Sequence, residues 1–272
     1  MTAEELGISR ITPSMLVEYE NCPRLFYYRS WLGLQIPVSK IHLFFGTAIH
    51  AAIDEIYNQK DVWGNDQCDF NKVVQIFKDT FKEEHVDDKD YTPEARAIKY
   101  NEMIVDGIAM LEAFWKEKEI LWSKGVQPIR MELPIKMQVF NPKTKEPLPI
   151  MMSGRFDGEC ESGDISEFKT SGKIYDVFAT RASHQARCYS WLQYCRTGLL
   201  KTIHYVVLIK NRKKDRIQHL DFYYDEADLI AYDTEVRSIL ERIKKREFQR
   251  PVRGHPPYCD CHKYEKLLTK IQ

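Results

Sequence analysis

The sequence has no long apolar run: no stretch of its 272 residues approaches the roughly 18 consecutive apolar residues that a membrane-spanning helix needs. It has no excess of either charge. Lys and Arg number 40, Asp and Glu number 40, and the formal net charge is zero. A wholly basic coat protein for nucleic acid is thereby disfavoured, whereas a locally basic groove is still allowed. Glycine and proline are sparse, 12 of each, and no internal repeat is present. Low-complexity disorder and fibrous architectures are excluded on that composition. The opening MTAEELGISR has no basic stretch followed by an apolar one, so no secretory leader is expected. With seven cysteines, an odd count, the expectation is a reducing compartment, the cytoplasm, and free thiols.

What is present is an ordinary globular composition, 43% hydrophobic and 29% charged, in a chain long enough to bury a core. The charge is clumped. Residues 54–94 carry 12 acidic and 5 basic side chains. Basic runs occupy residues 210–216, with Lys213 and Lys214, and residues 242–253. Each alone reads as a solvated face or turn; beside a catalytic site they become candidates for phosphate contact.

Thr12 followed by Pro13 is a helix start, and apolar spacing extends that helix to about Glu20. Further helices are expected over 44–58, 70–81 and 93–121, from stripes such as Tyr100, Ile104, Ile108, Leu111 and Trp115. Beyond Gln127 the character changes. Strands are expected at 128–139, 149–161 and 165–170, a helix at 180–197, strands at 202–210 and 217–224, and a helix at 226–247. The expected fold is an α/β core with a helical N-terminal elaboration.

The informative segment is Ser153-Gly154-Arg155-Phe156-Asp157 and, after a turn, Ile165-Ser166-Glu167-Phe168-Lys169. On a strand, Ile165, Glu167 and Lys169 share one face and Phe168 faces the opposite core. Charges on a central strand require a partner or a cation. Asp157 is expected to meet Glu167 across the hairpin ladder, and two converging carboxylates suit Mg²⁺ or Mn²⁺. Gly46 and His50 lie one helical turn apart, as do Gln185 and Tyr189. On this reading glycine at 46 allows the helix close to the sheet.

Taken jointly, these residues resemble the PD-(D/E)XK nuclease superfamily, in its RecB-like exonuclease branch. Residues 14–19 and 21–28 resemble the opening segment, Gly46-Thr47-Ala48-Ile49-His50 the Gly-x-x-x-His motif, and Gly154-Arg155-x-Asp157 with Glu167-x-Lys169 the catalytic hairpin. Gln185-Ala186-Arg187-Cys188-Tyr189 resembles the Gln-x-x-x-Tyr helix. The resemblance implies a restriction-endonuclease-like central mixed sheet flanked by helices. It implies one nuclease domain over residues 1–272, with 58–125 a helical insertion, 127–250 the catalytic core and 251–272 a tail. It further implies a metal-dependent DNA exonuclease acting on single strands or ends in recombination or repair, alongside a helicase or recombinase. A structure-specific endonuclease and a non-cleaving DNA-binding subunit are the alternatives.

In that reading Asp157, Glu167 and Lys169 are catalytic, and His50, Asp157, Glu167 and the main-chain carbonyl of Phe168 hold the metal. Gln185 and Tyr189 contact the DNA backbone, Glu132 sits at the edge of the site, and Tyr19, Arg24, Tyr27 and Tyr28 clamp or stack on a strand. Several branch members, CRISPR-associated nucleases among them, hold an iron–sulfur cluster on one cysteine of the opening segment and three near the C-terminus. Cys22, Cys259 and Cys261 fall in such places, but the third C-terminal cysteine is missing. His255 or His262 would have to complete the set, for a cluster or for zinc. Reduced thiols are the expectation.

Overall fold

The computed structural model describes residues 2–36, 41–58, 69–82, 92–210, 214–251 and 259–269. The first elements are α1 (Ala3–Leu6), β1 (Arg10–Ile11), α2 (Pro13–Asn21) and α3 (Pro23–Phe26), followed by a π-helical turn, Tyr27–Trp31. Thr12 caps α2 by accepting the Met15 N–H, with Pro13 at the first helical position. Three longer helices follow, α4 (Ile41–Asn58), α5 (Phe70–Thr80) and α6 (Pro93–Ser123). Then come β2 (Pro128–Met137), β3 (Met151–Cys160), β4 (Ile165–Ser171), α7 (Val177–Arg181), α8 (His184–Thr197), β5 (Ile203–Ile209), β6 (Ile217–Phe222), α9 (Glu226–Lys244) and α10 (Cys261–Thr269). Two short elements, α1 and β1, are too brief to leave a periodic signal in the sequence.

The strands form one six-stranded mixed sheet in the order β1-β3-β4-β5-β6, with β2 also paired to β3. β4 runs parallel to β5, and both are central. All seven residues of β5 are buried, as a continuous apolar run predicts for a strand covered on both faces. One face carries α2, α8 and α9, packed around Trp191, Tyr205, Phe156 and Tyr232. The other carries α4, α5 and α6, packed around Phe45, Phe77, Phe114 and Phe168. The helices of residues 41–123 are therefore a full layer of the sheet. Phe168 meets Tyr57 and Phe114 there, with ring centroids at 6.0 and 5.7 Å. Burial of such a ring contributes about 1.5–3 kcal/mol and fixes which way β4 faces. Among the described residues no helix is long and apolar enough to cross a membrane.

Candidate active site

One edge of β3 carries β2. The other is divided. Met151 and Met152 pair with β1, while Gly158 and Glu159 pair with Ser166 and Ile165 of β4. Residues 153–157 in between have no strand partner on that edge. Asp157 does not meet Glu167 across a regular ladder, as expected from sequence; the ladder ends at Gly158 and Ser166. Its Oδ2 instead accepts the Phe168 N–H at 2.9 Å, which satisfies a buried donor with a side chain where the strands diverge.

The diverging strands open a cleft that both faces of the sheet feed. From α4, His50 Nδ1 lies 3.6 Å from Asp157 Oδ1 and 3.9 Å from Glu132 Oε1. Ligand atoms of His50, Glu132 and Asp157 all fall within 4.8 Å of one another. Burial favours neutral imidazole, but Asp157 and Glu132 outweigh it and raise His50 to about 10. Burial would raise Asp157 as well; the His50 and Lys169 charges and the Phe168 N–H hold it below the usual carboxylate range. The proton on His50 compensates the carboxylates, and a divalent cation would displace it.

From the α8 side comes Glu167, which is 1% exposed. Lys169 Nζ and Gln185 Nε2 both donate to its Oε1, the latter at 2.6 Å. Its Oε2 is buried and has no hydrogen-bond partner among the described residues. Burial pushes this carboxyl up to about 8, opposed by Lys169 and reinforced by Asp157. An orphaned carboxylate oxygen, two further carboxylates and an imidazole constitute a donor set that fits a hard divalent cation.

Glu132 enters the site through an unusual backbone. Its φ is 51°, the left-handed region, which a non-glycine residue adopts at a cost of about 1 kcal/mol or more. Leu133, Ile135 and Met137 pack against the α8-side core, yet Met131 packs against the opposite one. The turn at Glu132 breaks the alternation of β2 and directs its carboxylate to His50 and to Arg155, whose Nε is 2.8 Å away. Glu132 thus stands within the converging group rather than at its edge.

Tyr189 is 5% exposed, and its hydroxyl donates to the Arg155 carbonyl at 2.7 Å while accepting from Gln185 at 3.2 Å. Gln185 and Tyr189 therefore hold Glu167 and β3 in place; the hydroxyl expected to contact a DNA backbone is already engaged. Gly154 is required here, since a Cβ would lie 2.7 Å from Tyr189 Cε1. Gly46 is not required for close packing: a Cβ would sit an ordinary 3.6 Å from Thr170 Oγ1. It lines the cleft.

Two cavities meet at this point. One, of about 760 Å³, is lined by His50, Asp54, Glu132, Asp157, Glu167, Lys169 and Lys210. The other, of about 1020 Å³, runs past Arg10, Ser14, Arg29, Ser153 and Tyr264. Arg155, Gln185 and Tyr189 line both, so the two form one trench.

Other expected contacts lie elsewhere. Tyr19 is fully buried with its hydroxyl on Glu247 O, and Tyr28 is buried and stacked on Tyr264 at 5.6 Å, so neither ring is open to a base. Arg24 and Tyr27 line a separate small cavity with Trp31 and Phe248. Lys214 is exposed beside Glu112 and Glu117 of α6, in a cavity that shares no residue with the trench. Lys213 and His255 lie outside the described residues. Of the trench cations, Lys210 belongs to the 210–216 basic run expected to meet phosphate, whereas Arg155 was given no role of its own. Arg155 alternates onto the Asp157 side of β3, and Lys210 follows β5, its N–H on Ser171 O. Arg155 could have been found by extending the strand periodicity by one step.

A family model described as the PD-(D/E)XK nuclease superfamily matches residues 10–264. No curated protein matches the chain. A crystal structure of a "putative exonuclease" from Eubacterium rectale superposes with a TM-score of 0.53 at 12% identity, covering 94% of this chain and 88% of that one. At that identity the likeness speaks for the fold. A second crystal structure, SSO0001, reaches a TM-score of 0.35 at 13% identity, covering 87% of this chain and 83% of that one, and carries no argument. Members of the matched superfamily typically use divalent metals on nucleic-acid substrates. With the family model spanning nearly the whole chain, the protein belongs to the PD-(D/E)XK nuclease superfamily.

Proposed function

We propose that this nuclease is a divalent-cation-dependent deoxyribonuclease that acts as an exonuclease on single strands or ends, in the processing of DNA for repair or recombination. The observation that carries the reading is the convergence of Asp157, Glu132 and His50 in a trench that Glu167, with its unpartnered Oε2, also lines where β3 and β4 part. Asp157, Glu167, His50 and Glu132 would hold Mg²⁺ or Mn²⁺. When bound, the cation supplies Lewis acidity toward the scissile phosphate and its leaving oxygen.

The chain's own residues do the rest. Lys169 Nζ, fixed on Glu167 Oε1, orients the attacking water. Water oxygen bonds to phosphorus and gives up a proton to solvent, one ester P–O bond breaks, and the leaving oxygen takes a proton from solvent. Gln185 fixes the Glu167 carboxylate, and Tyr189 fixes the strand that carries Asp157. Arg155, whose side chain is 67% exposed, and Lys210 receive backbone phosphates along the trench. Arginines along the trench suit a single strand, whose phosphates are reached one at a time.

The test is digestion of end-labelled linear and circular single-stranded DNA with Mg²⁺ or Mn²⁺. The exonuclease reading expects the linear substrate to be degraded and the circle to survive. Cutting of the circle would make the enzyme an endonuclease, and inertness toward both with every cation would remove the catalytic reading.

A further inference from the structure

We propose that His204, His219 and Asp221 bind one divalent cation of the zinc class at the outer edge of the sheet. β6 ends the sheet among the described residues and runs antiparallel to β5, with His204 opposite Asp221 and Val206 opposite His219. Directly opposed residues share a face of the sheet, as do residues two apart along a strand. All three side chains therefore rise on the face that α6 covers, where Val206 and Ile217 join the core. One ligand atom from each falls within 4.8 Å of the other two.

Asp221 Oδ1 lies 2.6 Å from His204 Nδ1 and 2.8 Å from His219 Nε2, so one carboxylate oxygen stands between two imidazole nitrogens. Despite that short approach, the buried His219 Nε2 has no hydrogen-bond partner among the described residues. The His204 and His219 side chains are 6% and 10% exposed, whereas that of Asp221 is 53% exposed. A buried nitrogen without a hydrogen bond costs free energy, and coordination removes that cost. A zinc ion with bonds of about 2.0–2.1 Å holds tetrahedral ligand atoms about 3.3 Å apart. Asp221 must withdraw by about half an ångström to admit it, which its exposure on an edge strand allows. Two imidazoles with one carboxylate suit Zn²⁺ over Mg²⁺.

His204 Nε2 is likewise buried without a hydrogen bond, and it lies 4.0 Å from Asp164 Oδ2. A proton on that nitrogen leaves the Nδ1 lone pair to the cation, with Asp164 as the carboxylate that fixes the tautomer. Asp221 and Asp164 set two negative charges against the divalent ion. Lys124 also acts on His219, but its side chain is exposed and can turn to water. The three donors contribute lone pairs, no electron or proton is transferred, and one water completes the tetrahedron. None of the three residues lines the trench; the ion would fasten β6 to β5.

The experiment is Zn²⁺ titration of the chelator-treated full chain, free of any histidine tag and with Mg²⁺ in excess, in wild type, His219→Gln and Asp221→Asn. The wild type should bind one zinc more at concentrations that fill the site, each variant binding there at least about tenfold more weakly. The thiols of Cys22, Cys259 and Cys261 also converge within 4.8 Å. Any zinc that they or the cleft hold is common to wild type and variants, so the comparison cancels it. In chain labelled with ¹⁵N at histidine, two imidazoles should shift together as the site fills, one through Nδ1 and one through Nε2. Those shifts should vanish in His219→Gln. Should that variant lose its circular dichroism spectrum, Asp221→Asn, at an exposed position, carries the comparison. Equal zinc binding in wild type and both variants would overturn the proposal, as would His204 and His219 resonances that do not respond to zinc. The readouts are zinc content and imidazole resonances, so the result is independent of whether the trench cleaves DNA.

Discussion

Two converging side-chain clusters are built in opposite ways. The cluster in the cleft is all oxygen and nitrogen: Asp157, Glu132 and His50, with Glu167 lining the same cavity, drawn from neighbouring strands and the helix lying over them. The cluster near the chain ends is all sulfur, drawn from segments that meet only when the fold is complete. The first has an exposed trench above it and an orphaned oxygen inside it; the second is wrapped in tyrosines. Hard donors beside solvent suit a hard cation in reach of a substrate, whereas thiols in an apolar shell are screened from one. The lesson is that an open site and a closed site are told apart by donor type and by what lies next to them.

The largest effect expected is on turnover. Asp157→Ala, Glu167→Ala and Lys169→Ala should each lower cleavage at least about 10³-fold, the scale of removing one member of a catalytic set. Full turnover in any of the three, measured on end-labelled DNA, would remove that residue from the machinery.

His50→Ala and Glu132→Gln come next. Each should raise the half-saturating Mn²⁺ concentration about 10–100-fold, and an unchanged metal titration would make the residue structural. Gly154→Ala forces the Tyr189 ring from its seat, so unfolding by urea should show a loss of about 1–3 kcal/mol. The smallest effect concerns phosphate grip. Arg155→Ala should reduce the slope of log affinity against log salt by about 1, whereas Lys214→Ala should leave it unchanged. Equal slopes for both variants would place the strand outside the trench.

Much of the cleft was legible in the sequence because it depends on strand alternation. Glu167 and Lys169 against Phe168 follow from period two, and β4 occupies the central position its apolar neighbours imply. What escaped depends on departures from regularity. Glu132 reaches His50 only because a left-handed φ breaks the alternation of β2. The gap along residues 153–157 arises because β1, two residues long, stops short of β4. The aromatic and arginine residues of the opening segment read as a strand clamp because alternation says nothing about depth, and burial places Tyr19 and Tyr28 in the core instead. The thiol cluster could be counted from the sequence, but its closeness is a product of tertiary folding.

The most direct test of the hard-cation account is Mn²⁺ binding to the chelator-treated chain, followed by loss of the free-ion electron paramagnetic resonance signal, in wild type and in Glu167→Gln. The account predicts saturable binding in the wild type and affinity weakened at least about tenfold in the variant, with an unchanged circular dichroism spectrum. Mn²⁺ affinity in Glu167→Gln equal to that of the wild type would contradict it.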